Sequence, residues 1–142
     1  MKRGFTLVEI VIVVAIVGIL AALGTPRFGK ALDQLAVARS VHETTAFYRS
    51  ARFAAIVNGR TVRIEFSGDS LVGVFEGHPD TVFMRAAGPA AHAVSLMVSR
   101  DTIRISATGL GYGAANTKLV FRRRTAADSL ATSRLGRLRR IR

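Results

Sequence analysis

The sequence of 142 residues contains no cysteine. Disulfide bonds are therefore excluded, and so is a metal site built from thiolates. Internal repeats and low-complexity linkers are also missing, which argues against solenoid and linker-rich classes. Acidic residues are scarce as well, because 9 Asp and Glu stand against 21 Lys and Arg and leave a net charge of +12. The chain is thus a strongly basic protein of about one domain's length.

Residue patterns that would support catalysis or metal binding are also missing. His42, His78 and His92 lack the spacing of metal ligands. No Ser–His–Asp arrangement or carboxylate pair can be defended. The glycine-rich stretch at residues 109–113 does not open a strand–turn–helix unit, so a flexible connection within a sheet is favoured over a phosphate-binding loop. The sequence predicts a protein that is not an enzyme, with no catalytic residue, no metal and no cofactor.

The positive charge is concentrated at the C-terminal end. Residues 117–142 carry nine basic side chains and one acidic one, a net charge of +8, whereas the preceding residues carry +4. Such an end suits a polyanion, which could be nucleic acid, anionic lipid headgroups or an acidic partner.

The N-terminal segment combines a cationic head with a long apolar run. Lys2 and Arg3 precede the 19-residue run Phe5–Leu23. As a helix this run would span about 28 Å at ~1.5 Å per residue, close to the ~30 Å thickness of a bilayer core. The positive head predicts a single-pass protein with a cytoplasmic N-terminus and a C-terminal domain on the other side of the inner membrane.

Two simpler interpretations of this segment compete with a specialised function. It could be an ordinary secretory signal, with cleavage at the small residues of Ala22-Leu23-Gly24, or a plain signal anchor. Glu9 argues against both, because an acid at the centre of a membrane helix costs ~2.5–3.5 kcal/mol, less near an end, and would serve neither purpose.

The residues around Glu9 carry a family resemblance. Residues 4–10 read Gly-Phe-Thr-Leu-Val-Glu-Ile, which resembles the type III signal of prepilins. The resemblance implies that a prepilin peptidase cuts after Gly4 and methylates the amine of Phe5. It further implies that Glu9 pairs with the amine of a neighbouring pilin in a filament. Pro26 falls where many pilins carry a proline, and we expect a break or kink of the helix there.

Periodicity predicts the rest of the fold. An apolar row at helical spacing runs to a stop at Asn58-Gly59, and alternation with a period of two begins after it. The row contains Val37, Val41, Thr44, Tyr48, Ala51 and Ala55, while Arg39, Glu43, Arg49 and Arg52 lie on other faces. Predicted strands cover Thr61–Phe66, Leu71–Phe75, Thr81–Arg85, Val94–Val98, Thr102–Ser106 and Thr117–Arg122.

The predicted fold class is therefore α+β, with a long N-terminal helix packed on an antiparallel sheet, as in pilins. Three parts are expected: a prepilin leader at residues 1–4, a transmembrane and filament-assembly helix at 5–26, and an extracytoplasmic domain at 27–142.

A narrower resemblance extends over most of the chain. The helix end at residues 58–60, the strand Val62–Phe66, the turn at 105–109 and the ending Ser133–Arg137 resemble the GspH/FimT family of pseudopilins. Members of that family are minor subunits of type II secretion pseudopili or type IV pili. Some FimT-like members bind DNA during natural transformation. The expected partners are thus the prepilin peptidase, other pilins, the inner membrane and, for the second group, DNA.

The arginine-rich end permits two interpretations. Extended geometry would place Arg137 and Arg139 on one face, with Leu138 and Arg140 on the other. It could be a solvated edge strand whose charges prevent aggregation. However, residues 136–139 resemble the Gly-Arg-x-Arg pattern of DNA-binding family members, and phosphate neutralisation dominates non-specific DNA binding. The candidate DNA-binding residues are Arg134, Arg137, Arg139, Arg140 and Arg142.

Overall fold

The computed structural model describes residues 6–77, 79–113 and 116–141, without the side chains of residues 23–27. The predicted leader, its cleavage site at Gly4, and Phe5 lie outside the described residues, as do His78 and Arg142. The chain divides into two compact units, Met1–Leu32 and Asp33–Arg142.

The only α-helix of the described residues, α1, runs from Leu7 to Asn58. Its backbone stays α-helical through Pro26, so the predicted break there is wrong, and a bend at Pro26 stays a prediction. A proline removes one backbone hydrogen bond, which the adjacent turns of a long helix can tolerate. Every residue from Leu7 to Ala22 is exposed, although most of them are apolar. Within the described residues, no helical stretch has both the length and the hydropathy of a membrane span.

The C-terminal part of α1 buries the apolar row that its periodicity predicted. All six residues of the row are buried, and Phe47 beside it is buried too. The helix ends where Gly59 adopts a left-handed conformation, with φ of 59°. Two backbone hydrogen bonds cap its last turn, from Gly59 N to Ile56 O (3.3 Å) and from Arg60 N to Ala55 O (3.2 Å). This is the Schellman pattern, and it confirms the predicted stop.

Nine antiparallel strands follow in the described residues and form two sheets. The sheet orders are β3-β2-β1-β5-β6 and β4-β7-β8-β9. A short 3₁₀ helix, Pro89–His92, lies between β3 and β4. The strands are β1 (Val62–Phe66), β2 (Ser70–Phe75), β3 (Thr81–Ala87), β4 (Ser95–Val98), β5 (Thr102–Ile105), β6 (Gly111–Tyr112), β7 (Lys118–Arg123), β8 (Ala126–Thr132) and β9 (Leu138–Ile141).

This arrangement confirms the predicted α+β class, and the six predicted strands appear with ends shifted by one or two residues. Strand β8 was not predicted, because Ala126-Ala127-Asp128-Ser129 lacks β-branched and aromatic side chains. It forms because it pairs with β7 along its length. Strand β6 lies inside the glycine-rich stretch that was expected to be a flexible connection. The single predicted sheet is in fact two.

Both sheets pack on α1 through one hydrophobic core. The inward residues of β1 are fully or almost fully buried at Val62, Ile64 and Phe66, as the alternation predicted. They belong to one cluster with the buried face of α1 and with side chains of the second sheet. The latter include Leu119 and Phe121 of β7.

A polar network joins α1 to the second sheet beside this core. Asp33 is only 4% exposed, and its Oδ1 lies 2.9 Å from Nε of Arg123. Nη1 of Arg123 donates to the carbonyl oxygen of His92 (2.8 Å), whose Nε2 lies 2.8 Å from Oε2 of Glu43. The hydrogen bond from Arg39 lowers the pKa of Glu43. The contribution of this carboxylate to stability is therefore present near neutral pH and is lost as the pH falls through its lowered pKa.

Candidate functional site

Glu9 lies at the start of α1 and forms a capping box with Thr6. Oε2 of Glu9 accepts hydrogen bonds from the backbone N–H of Thr6 (2.8 Å) and from its hydroxyl (2.9 Å). In return, Oγ1 of Thr6 accepts from the backbone N–H of Glu9 at 3.3 Å. The box satisfies backbone donors that the first turn of a helix leaves without partners.

The capping box fixes the position of the predicted assembly residue. Around it, Leu7, Val8 and Ile10 are exposed apolar side chains, so Glu9 is an isolated carboxylate on an apolar helix. Thr6 was not among the predicted site residues, although the Thr-x-x-Glu pattern before an apolar run is the signal of a capping box. The structure therefore adds Thr6 as the residue that orients the Glu9 carboxylate.

The second candidate site is an open recess of about 590 Å³ between α1 and β9. We call it the arginine recess. Its lining residues are Tyr48, Arg49 and Arg52 of α1, with Gly136, Arg137, Leu138 and Arg139. Arg49 and Arg52 lie outside the buried row of α1, as the periodicity predicted. The structure also places them in the same recess as two arginines of the C-terminal end.

The pairing of β9 with β8 confirms the predicted alternation for Leu138 and Arg139, whereas Arg137 precedes the strand. Leu138 is opposite the buried Thr132, whereas Arg139 is opposite Ala131. Leu138 packs against the core, and Arg139 is exposed. Arg140 lies one residue further along and is on the same face as Leu138.

Two glycines bring the loop before β9 close to α1. Gly136 has φ of 66°, and a Cβ on it would overlap the carbonyl oxygen of Gly109. Nε of Arg52 donates to that same carbonyl oxygen at 2.8 Å. The backbone N–H of Gly111 donates to the carbonyl oxygen of Arg134 (2.8 Å). These contacts fix Arg137 beside the arginines of the helix, and they require glycine at position 136.

Replacement of Gly136 by alanine is expected to lower the free energy of unfolding by about 2 kcal/mol. The added methyl group would overlap the carbonyl oxygen of Gly109, and the alanine would have to adopt a left-handed backbone conformation. Gly113 is the matched control, because it has φ of 65° but an added Cβ would meet no atom of the described residues within 4 Å. Gly113→Ala should therefore cost only about 1 kcal/mol. Urea unfolding of both variants measures the difference, and equal losses would contradict the close approach at Gly136.

The recess is a concentration of positive charge without carboxylates. Among the described residues, no ion pair involves Arg49, Arg137 or Arg139. Some arginines outside the recess are compensated: Arg63 lies 2.8 Å from Asp80 and Arg104 lies 2.7 Å from Glu76. Clustered like charges with no counterion raise the free energy of a surface, so the recess attracts anions.

The five predicted DNA-binding arginines do not all lie together. Arg137 and Arg139 line the recess, whereas Arg140 forms an ion pair with Asp128 that raises the pKa of its guanidinium. Arg134 is exposed but does not line the recess, and Arg142 lies outside the described residues.

Tyr48 is a polar residue of the recess that the sequence did not single out. It is 2% exposed, and its hydroxyl is buried without a hydrogen-bond partner among the described residues. Burial raises the pKa of its phenol, partly opposed by the charge of Arg52. In the sequence Tyr48 appears simply as a member of the apolar row of α1.

As for metals, the described residues include no group of three or more His, Cys, Asp or Glu that could hold an ion.

Comparisons with known proteins identify the family. Residues 1–25 match the family model of the prokaryotic N-terminal methylation motif. The chain is 35% identical over 107 residues to the type IV narrow pilus major component PilA5 of Thermus thermophilus, covering 75% of this chain and 89% of that protein. It is 41% identical over 61 residues to a fimbrial protein of Pseudomonas aeruginosa, a match that spans 43% of this chain but only 39% of the relative's length.

A solved structure shares the fold. The type IV minor pilin FimU of Pseudomonas aeruginosa superposes with a TM-score of 0.65 and 14% identity, covering 75% of this chain and 88% of FimU. The matched relatives are structural pilin subunits and not enzymes, as the absence of a catalytic pattern predicted. Together, the N-terminal motif, the match to PilA5 and the helix-on-sheet fold show that this chain belongs to the type IV pilin family.

Proposed function

We propose that the protein is a minor pilin of the GspH/FimT kind, which joins other pilins in the filament of a type IV pilus or a type II secretion system. The capped carboxylate of Glu9, at the start of an exposed apolar helix, is the observation that supports this most directly. A structural subunit needs such a fixed polar group to set its register among otherwise interchangeable apolar contacts.

The exposed apolar surface of residues 7–22 requires a cover. A large exposed apolar surface normally marks an interface with lipid or with another protein. In the proposed function this surface contacts lipid first and other proteins later. The segment is held in the inner membrane before assembly, with the rest of the chain extracytoplasmic, and contacts neighbouring pilins afterwards.

Glu9 would change partners on assembly. In the single subunit its carboxylate accepts two hydrogen bonds from Thr6. In the filament it would receive the methylated amine of Phe5 from a neighbour, so that two charges that are costly in an apolar environment neutralise each other. The capping box keeps the carboxylate oriented until that amine arrives.

Maturation provides the first test. We expect the prepilin peptidase to remove Met1–Gly4 and to methylate Phe5, so intact-mass measurement of the membrane-extracted protein should give a methylated chain that begins at Phe5. A bulky residue at position 4 should block cleavage by filling a subsite for small residues. A mature chain that begins at Thr25 would indicate ordinary signal-peptidase processing instead and would contradict the proposal.

DNA uptake is the second candidate function, and the arginine recess is the observation that favours it. Arg137 and Arg139 belong to the Gly-Arg-x-Arg pattern, and they lie beside two helix arginines with no compensating carboxylate in the lining. Guanidinium groups suit phosphate oxygens, because their planar fork donates two parallel hydrogen bonds and stays charged at any working pH.

We expect weak, sequence-independent binding of duplex DNA by the protein in detergent. If about four phosphates are neutralised, the slope of log K against log salt should be near −3.6, from roughly −0.9 per phosphate. Arg137→Ala with Arg139→Ala should lower the affinity and flatten the slope. The matched control is Arg85→Ala with Arg122→Ala, two exposed arginines outside the recess. Equal losses of affinity in both double variants would show that net charge alone explains the binding. The filament subunit would then be the only proposed function left.

A further inference from the structure

The arginine recess has a feature that attraction to a polyanion does not use. Its lining includes Tyr48, whose hydroxyl is buried and lacks a hydrogen-bond partner among the described residues. An unsatisfied buried hydroxyl destabilises the domain, and such a group calls for a specific explanation. A solvated basic surface offers none, because charges exposed to water attract a polyanion without any buried donor.

The donors around the recess outnumber what a phosphodiester can accept. Each guanidinium carries five N–H groups, and within the described residues only Nε of Arg52 among the four arginines donates a hydrogen bond, to the carbonyl oxygen of Gly109. A phosphodiester has two terminal oxygens and one negative charge. A phosphate monoester, like inorganic phosphate, has three or more oxygens and about 1.5 to 2 negative charges near neutral pH. The fuller set of acceptors and the higher charge match this recess better.

The recess is also built rather than accidental. Nε of Arg52 is held by the carbonyl oxygen of Gly109, and a Cβ on Gly136 would overlap that same oxygen. Arg137 and Arg139 are then placed by the start of β9, which is fixed by its pairing with β8. Because Arg52 is already held, it loses less conformational entropy on binding an anion than a freely rotating arginine would.

We propose that the arginine recess binds one phosphate group as a free phosphate or monoester, with the Tyr48 hydroxyl donating to it beside the guanidinium groups. This site is a property of the recess itself, and it rests neither on filament assembly nor on binding to the DNA backbone. The ligand can be inorganic phosphate or the terminal phosphate of a larger molecule.

The composition of the chain offers a direct probe. The protein has no tryptophan and only two tyrosines, so Tyr112→Phe leaves Tyr48 as the only tyrosine. In the full chain in neutral detergent, at constant ionic strength, inorganic phosphate should produce a saturable change in Tyr48 fluorescence. Glycerol 1-phosphate, a monoester, should act like phosphate, whereas dimethyl phosphate should bind about tenfold more weakly. Equal affinity for the monoester and the diester would overturn the proposed selectivity.

Variants measured by calorimetry test the two kinds of donor. Tyr48→Phe keeps the ring and should weaken phosphate binding by about tenfold, while raising the melting temperature by about 4 °C because an unsatisfied hydroxyl is removed. Arg137→Gln should weaken binding to a similar extent. Arg122→Gln is the matched control outside the recess and should leave the affinity unchanged. Unchanged binding in Tyr48→Phe, or an equal loss in Arg122→Gln, would overturn the site. Neither result bears on maturation or filament assembly, which are measured separately.

Discussion

Asp33→Asn is expected to lower the free energy of unfolding of the unit Asp33–Arg142 by about 3 kcal/mol. Asp33 is buried and lies 2.9 Å from Nε of Arg123, with Nη1 of Arg124 at 3.8 Å. Removal of one member of a buried ion pair leaves the other as an uncompensated charge, which typically costs ~3–5 kcal/mol. The lower end applies here because the side chain of Arg123 is 29% exposed and keeps some contact with water.

The exposed pair Arg39–Glu43 provides the control for this prediction. Its side chains are 65% and 42% exposed, so Arg39→Gln should change stability by under ~1 kcal/mol. Urea unfolding followed by circular dichroism gives both values. The double variant Asp33→Leu with Arg123→Met should recover much of the loss, because an apolar pair can replace a buried ion pair at little cost. A stability of Asp33→Asn within about 0.5 kcal/mol of the parent would show that the pair is solvated after all.

Asp33 also illustrates what the sequence could not reveal. From the sequence it is one more acidic residue on a helix, four positions before the buried Val37. Its partner is 90 residues away and reaches it only because β7 and β8 form a hairpin whose turn includes Arg124 in a left-handed conformation, with φ of 48°. Local periodicity contains no information about such a long-range pair.

The parts of the fold that were predictable are those with a strong local period. The buried row of α1 and the alternating strand β1 follow from helical and strand spacing alone, because burial of one face is what creates the pattern. Strand β8 lacked that signal: its side chains are small or polar, and its pairing with β7 stabilises it. The division into two sheets depends on which strands pair, and that choice is made by tertiary contacts.

The same contrast holds for the candidate sites. Gly4, Phe5 and Glu9 could be named from a contiguous motif, and Thr6 could have been named from its capping pattern. Only the C-terminal arginines of the arginine recess could be predicted from the sequence. Arg137 and Arg139 belong to a short sequence pattern, whereas Tyr48, Arg49 and Arg52 join them through the close approach of Gly109 and Gly136. No spacing in the sequence encodes that approach.

Glu9→Val is expected to produce a subunit that still inserts into the membrane but no longer enters the filament. Loss of the carboxylate removes a charged group from the apolar helix, which favours insertion. It also removes the proposed partner of the neighbouring amine, which would then remain unpaired in the filament. Crosslinking to other filament subunits measures incorporation. Thermal unfolding should stay close to that of the parent, because Glu9 is exposed.

Glu9→Gln separates the charge of this residue from its capping function. Glutamine can occupy the same position of a capping box, so its amide oxygen should keep the hydrogen bonds from Thr6 that the carboxylate accepts at 2.8 and 2.9 Å. It cannot neutralise an amine. If charge pairing sets the register, Glu9→Gln should fail to assemble as completely as Glu9→Val, whereas Thr6→Val, which removes only the hydroxyl, should assemble with reduced efficiency. Incorporation of Glu9→Gln at the parent level would contradict the pairing and would leave capping as the function of Glu9.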